Sequence, residues 1–345
     1  MFKWRLKKIR KIQNKAIQNN SFILFKKTKF IKPFLLLLPS IIVLLLFTVV
    51  PFVYVIVDSF LIQGDSIKIT DINVGLKNYE FLLKSDYEFQ IALRNTIIYA
   101  LVALPISLFI SIGVSITISN LTKRYWKSFW QSIFFLPYVT SGVAISIAFF
   151  YLFADKGIMT KILGLETYSW LTQRSGWNSL IVIILRGVWE NLAFQILMLS
   201  TALMSINPML YKASQIDGVS KTRELFAITL PKVKRTLLFL ITIGIIGGVK
   251  IFPLALFDNN PTQATSYQGQ TIMTYIYSML MANKEQFKHY STTASVILFI
   301  LGVFLSFAIR YIVILGYRIN IHLGVKRVQY KIKNNKNPYK TNYQI

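Results

Sequence analysis

Apolar residues run almost without interruption through six stretches of the chain, at about 33–57, 95–119, 129–154, 179–204, 237–257 and 291–316. As a helix rising ~1.5 Å per residue, each is long enough to cross a hydrocarbon core of ~30 Å. Lipid offers no partner for backbone N–H and C=O groups, so helices are the form such spans take. The pattern predicts an all-α membrane protein of six transmembrane helices. A basic arm, 1–32, precedes the six-span domain 33–316, and a basic tail, 317–345, follows it. The first apolar run is expected to remain as a span, because its basic leader is long and no small-residue cleavage site follows.

Polar positions between the spans break this monotony at one place. Residues 205–236 form a charged, helix-prone connector between the fourth and fifth spans. Asn207 suits an N-cap and Pro208 the first helical position. Asp217-Gly218 reads as a turn, Ser220 as a second N-cap, and Glu224 as an acid placed for the helix dipole. Leu225, Phe226, Thr229 and Leu230 are expected to share one apolar face, and Pro231 to mark a break or kink. The predicted object is a helix-turn-helix with an apolar stripe that needs cover, either from the bilayer surface or from a protein groove.

Charge orients the chain. Of 39 Lys and Arg, 27 lie in segments 1–32, 120–128, 205–236 and 317–345, against 9 in 58–94, 155–178 and 258–290. The bias puts both termini and the connector in the cytoplasm. It also accounts for the formal charge of +26 without nucleic acid, which runs of twenty apolar residues disfavour in any case. The stretch MFKWRLKKIRKIQNK reads as an arm lying on anionic headgroups, or as a solvated tail. Mean hydropathy is +0.51, and the sequence holds no cysteine, which excludes disulfides and thiolate sites. His289 and His322 stand far apart and are assigned no function.

At this point a family resemblance becomes specific. INPMLYKASQIDGVSKTRELFAITLP, 206–231, resembles the E-A-A loop of binding-protein-dependent ABC importer permeases. Ala213, Ile216, Asp217, Gly218, Phe226, Ile228, Thr229, Leu230 and Pro231 fall in register with it. VGLKNYEFLL (74–83), RNTIIYAL (94–101), FFLPYVTSGVAISIAF (134–149), Trp189, VKIFPLAL (249–256) and TYIYSMLM (274–281) are similar to further elements of the same family, in its maltose and glycerol-3-phosphate branch. The resemblance implies that the connector is a coupling helix seated in a cleft of a separate ATPase, through Lys212, Ala213, Ser214, Asp217, Gly218, Val219, Phe226, Leu230 and Pro231. It further implies a second homologous permease, two ABC ATPase subunits binding ATP and Mg, and an extracellular substrate-binding protein or lipoprotein. The solute would be a sugar, sugar alcohol or glycerol phosphate. Lys212, Ser214 and Val219 depart from the family pattern, and NNP (259–261) stands where G-G-P is usual.

Ionisable residues inside spans are costly and are functional candidates. Arg186 and Glu190, and Asn191 and Gln195, are i, i+4 pairs on the fourth span. With Lys250 they are candidates for the substrate path, the alternative for the charged pair being a strut within the bundle. Arg310 is expected to snorkel beside Tyr311, and Gly244 with Gly248 to serve helix packing. No G-x-x-x-x-G-K-[ST] occurs, so no cofactor is expected in this chain, and ATP would act on the partner. Two other readings stand beside the importer: an ion-coupled secondary transporter, which needs an inverted repeat and interrupted helices, and a non-transporting membrane scaffold.

Overall fold

The computed structural model describes residues 31–63, 72–164, 168–172, 177–282 and 284–335. Most of the predicted basic arm and the last ten residues of the tail lie outside these. Among the described residues, six helices are long and apolar enough to cross a membrane: Pro33–Ser59, Tyr87–Asn120, Gly142–Ile162, Trp177–Met204, Lys234–Phe257 and Gln286–Gly316.

Two compact units, Met1–Val55 and Ile56–Ile345, divide the chain. The first contains helix α1, Ile31–Leu44, a π-helical turn over Leu45–Val49, and most of α2, Val50–Ser59. The π turn ends two residues before Pro51. Proline lacks an N–H and its ring crowds the carbonyl four residues back, so a widened turn relieves both.

The second unit opens with a feature the all-α reading did not include, a two-stranded antiparallel hairpin of β1, Leu61–Gln63, and β2, Ile72–Val74, followed by α3, Lys77–Glu80. This corner is tied to the last helix. Asp58 Oδ2 accepts the Thr292 hydroxyl at 2.9 Å and lies 3.2 Å from His289 Nδ1. Asn78 donates to the carbonyls of Ser59 and Leu61. His289 is therefore a structural partner of a buried carboxylate.

The bundle is built on α4, Tyr87–Asn120, and α8, Trp177–Met204, whose mutual contact is the most extensive among the described elements. α4 begins eight residues before the predicted span, capped by Asp86, whose side chain accepts the Phe89 N–H. At 34 residues it is about 50 Å long, more than a bilayer core needs. Against both packs α12, Lys234–Val249; α14, Ile272–Met281, lies on α4, and α15, Glu285–Asn335, packs on α12 and α14. Their shared core includes Leu104, Leu199, Leu240, Ile245 and Ala294. α15 continues well past the predicted sixth span, carrying helix into the basic tail, and Arg310 and Tyr311 are exposed on it.

Small residues permit the close approach of α4 and α12. A Cβ on Gly248 would lie 3.4 Å from the Ala100 Cα, and one on Gly244 would strike a methyl of Leu104. The packing role predicted for these glycines is what the structure shows.

The third predicted span, 129–154, is a correction. α5, Arg124–Val139, ends there and α6, Gly142–Phe153, begins anew, followed by α7, Ile158–Ile162. Thr140 and Ser141 are extended, at ψ 143° and 130°. Pro137 withholds one hydrogen bond just upstream, and Thr140 Oγ1 caps the Leu136 carbonyl at 3.0 Å. The fifth span also changes form: α12 ends at Val249, and Leu254–Phe257 is a 3-10 turn. Beyond it the NNP segment keeps a turn that glycine would suit. Asp258 and Asn259 take left-handed φ of 54° and 55°, and Asn260 caps α13, Pro261–Ser266, by accepting the Thr262 N–H.

Candidate functional site

The connector between α8 and α12 folds as a helical hairpin. α9, Pro208–Ile216, starts where Asn207 Oδ1 accepts the Met209 N–H at 2.9 Å. It ends in a Schellman turn: Val219 N–H donates to the Ser214 carbonyl, Gly218 N–H to that of Gln215, and Gly218 takes φ +65°. α10, Lys221–Glu224, follows, with Ser220 Oγ accepting the Arg223 N–H. A π turn over Leu225–Thr229 then leads to α11, Leu230–Lys232, again two residues before a proline, Pro231. The chain stays helical through Pro231 and breaks at Val233, just before α12.

One pair holds the two arms of this elbow together. Ser214 Oγ on α9 donates to Glu224 Oε2 on α10 at 2.8 Å, and both residues are buried. Lys221 Nζ approaches Glu224 Oε1 at 3.3 Å, and Tyr211 and Thr229 join their hydroxyls at 3.2 Å. Glu224 lies in the first turn of α10 as expected, and it is also the inner fastening of the bend. The serine that departs from the family pattern is its partner.

The expected apolar face turns inward at three of its four positions and is covered by the protein itself. Thr229 is buried, Leu225 and Leu230 are half-buried, and Phe226 alone of the four points to solvent. The uncovered apolar surface comes instead from α9, where Met209, Ala213 and Ile216 recur at i, i+4, i+7 beside Lys212. Ile216 is 87% exposed. Asp217, Gly218 and Pro231 are also exposed, and Val219 is half-buried.

The membrane candidates separate into two groups. Arg186 is buried; its guanidinium lies 3.0 Å from Glu190 Oε2 and donates to the Gly142 carbonyl at 3.3 Å. This joins α8 to the start of α6, and a Cβ on Gly142 would crowd both side chains. Gln195 is buried too. Its amide nitrogen donates to Ser107 Oγ at 3.0 Å and its oxygen accepts Ser111 Oγ at 3.1 Å, so both ends are spent on α4. Glu190, half-buried, and Asn191 line a cavity of about 430 Å³ together with Tyr99, Pro137, Tyr138 and Gly247. Gln195 touches its wall, whereas Arg186 and Lys250 are absent from it. Lys250 caps the end of α12 and is exposed. Tyr99 is a lining residue that sequence reasoning missed. It fits because Gly187 has no side chain, a Cβ there falling 1.9 Å from the tyrosine oxygen.

The family described as "Binding-protein-dependent transport system inner membrane component" matches residues 110–318. The chain belongs to this family. A probable ABC transporter permease protein, MG188, of Mycoplasma genitalium is 39% identical over 90% of this chain and 92% of its own length. The arabinooligosaccharides transport system permease protein AraP of Halalkalibacterium halodurans is 27% identical over 74% of this chain and 79% of its own. Among solved structures, a bacterial ABC transporter involved in import of the acidic polysaccharide alginate shares the fold. Its TM-score is 0.63 at 22% identity, covering 81% of this chain and 95% of that one. The protein is a multi-pass membrane protein and a permease subunit of an ABC importer. Such subunits are translocation components, not enzymes.

Proposed function

We propose that the permease passes a sugar, sugar alcohol or glycerol-phosphate-like solute inward by alternating access. Motion would enter through the elbow 205–236, docked in a cleft of an ABC ATPase. Two such ATPases bind ATP and Mg and hydrolyse the nucleotide, a second permease completes the pathway, and an extracellular binding protein delivers the solute. Both termini and the elbow then face the cytoplasm, in line with the 27-to-9 distribution of Lys and Arg. The sugar reading draws on the name of the arabinooligosaccharide relative, and the binding protein on that of the family.

The observation that carries this reading is the elbow itself. Its interior is fastened by Ser214 and Glu224, while Met209, Ala213 and Ile216 are left uncovered on one face. A fastened hairpin with an apolar outer face can be pushed as one piece, which a coupling joint requires and a surface-lying loop does not. Glu190, Asn191, Tyr99 and Tyr138 offer hydroxyl, amide and aromatic groups suited to a polyhydroxylated solute. Arg186 serves as the strut that fixes Glu190 at that wall.

Reconstitution with the ATPases decides between this and an ion-coupled carrier. Uptake into proteoliposomes is expected to stop without ATP and to survive collapse of the ion gradients. Uptake that persists on ion gradients alone refutes the reading.

A further inference from the structure

Two spaces meet beneath the elbow. One, of about 580 Å³, lies among the end of α4, the start of α5 and the elbow, with Ser119, Asn120, Lys127 and Lys221 in its wall. The other is a groove of about 750 Å³ along α4 from Phe109 to Leu121, faced by Trp130 and Phe134 of α5. Ile116 and Leu225 belong to both walls. The groove is almost wholly apolar, Thr117 giving its only hydroxyl. Twelve helical steps make it about 18 Å long, close to the ~15 Å of one leaflet's share of the hydrocarbon core.

We propose that this composite space binds an anionic phospholipid, one acyl chain lying in the groove and the phosphate at Lys127 and Lys221. Lys127 spends one N–H on the Ser119 carbonyl at 2.8 Å, and Lys221 one on Glu224 at 3.3 Å. An ammonium has three donors, so two remain on each. Glu224 is the one acid in the wall, and its two oxygens are engaged by Ser214 and Lys221, which leaves the mouth net positive. Lys123 and Arg124 stand exposed at the head of α5 and extend that charge. An apolar protein segment would cover the groove but strand the lysines, and a zwitterionic lipid would answer them less well.

The test uses the full chain in dioleoylphosphatidylcholine vesicles doped with a minor fraction of dibrominated phosphatidylglycerol or dibrominated phosphatidylcholine. Quenching of tryptophan fluorescence is recorded, with Trp130→Phe identifying the groove's contribution. Phosphatidylglycerol is expected to quench Trp130 several-fold more strongly than phosphatidylcholine, and inorganic phosphate not to compete. Lys127→Ala with Lys221→Ala should weaken the preference by about fivefold per lysine, and Lys→Arg at both should keep it. Gly113 lines the groove, and a Cβ there meets nothing within 4 Å, so Gly113→Leu should fill the space and abolish quenching by both lipids. Equal quenching by the two lipids overturns the proposal, as does an undiminished preference in the Lys→Ala pair. So does cross-linking of Gly113→Cys to a second copy of the chain, which would put protein in the groove. No ATPase or solute is present, so failure here leaves the importer reading intact.

Discussion

Ser214 and Glu224 are ten residues apart and sit on opposite arms of the Gly218 bend, yet the serine hydroxyl reaches the carboxylate at 2.8 Å inside the elbow. A hydrogen bond to a buried charged group is worth about 1.5–3 kcal/mol. Ser214→Ala and Glu224→Gln should each loosen the hairpin and lower solute-stimulated ATP hydrolysis several-fold, leaving the basal rate of the complex less affected. The double variant should lose little more than either single one. Full additivity in that cycle would show that the pair does not act together.

Lys212 stands exposed beside Met209, Ala213 and Ile216, at a position where the family pattern carries glutamate. The docking cleft of the cognate ATPase is therefore expected to lack the usual basic residue or to present an acid. Lys212→Glu should reduce coupled ATP hydrolysis, and an opposite charge swap on the ATPase should restore it. Unchanged activity in Lys212→Glu alone removes the idea.

Arg186 and Glu190 differ in exposure, the arginine side chain being 7% exposed and the glutamate 38%. Removing the carboxylate strands a buried cation, whereas removing both partners does not. Glu190→Gln should therefore lower the thermal midpoint more than Arg186→Met combined with Glu190→Met. The cost should fall below the ~3–5 kcal/mol of a fully buried pair, because solvent reaches Glu190. Transport should fall in Glu190→Gln beyond what stability explains. Gln195→Ala should instead lose about 1 kcal/mol of helix pairing with α4 and track stability alone. If neither variant altered solute-stimulated transport, the wall would not be part of the path.

Gly187 and Gly244 both admit a neighbour, with unequal tolerance. A Cβ at Gly244 would meet one terminal methyl of Leu104 within 3 Å, while at Gly187 it meets two ring carbons and the hydroxyl oxygen of the rigid Tyr99 side chain. Gly187→Ala should lower the thermal midpoint by the equivalent of about 1–3 kcal/mol, and Gly244→Ala by clearly less. The reverse order would mean that Tyr99 does not sit against α8 as described.

Much of this was legible because it is local. Asn207-Pro208 and Ser220 announce their helices through caps, and Gly218 its bend through the φ it alone accepts readily. The Thr140–Ser141 break was hidden, since FFLPYVTSGVAISIAF is apolar on both sides and hydropathy does not register a change of direction. Gln195 read as a substrate-path residue paired with Asn191 because its partners, Ser107 and Ser111, lie more than eighty residues upstream. Glu224 read as a first-turn acid because nothing in sequence shows that the bend returns it to Ser214. The π turn at Leu225–Thr229 ends two residues before Pro231 but has no residue signature of its own.

The chain lacks cysteine, so a single introduced thiol reports its own position. Ile216→Cys, at the most exposed apolar site of the elbow, should react with a membrane-impermeant maleimide only in inside-out vesicles. In the assembled complex it should be shielded and cross-link to the ATPase. Labelling from the external face, or equal reactivity with and without the ATPase, would contradict the account.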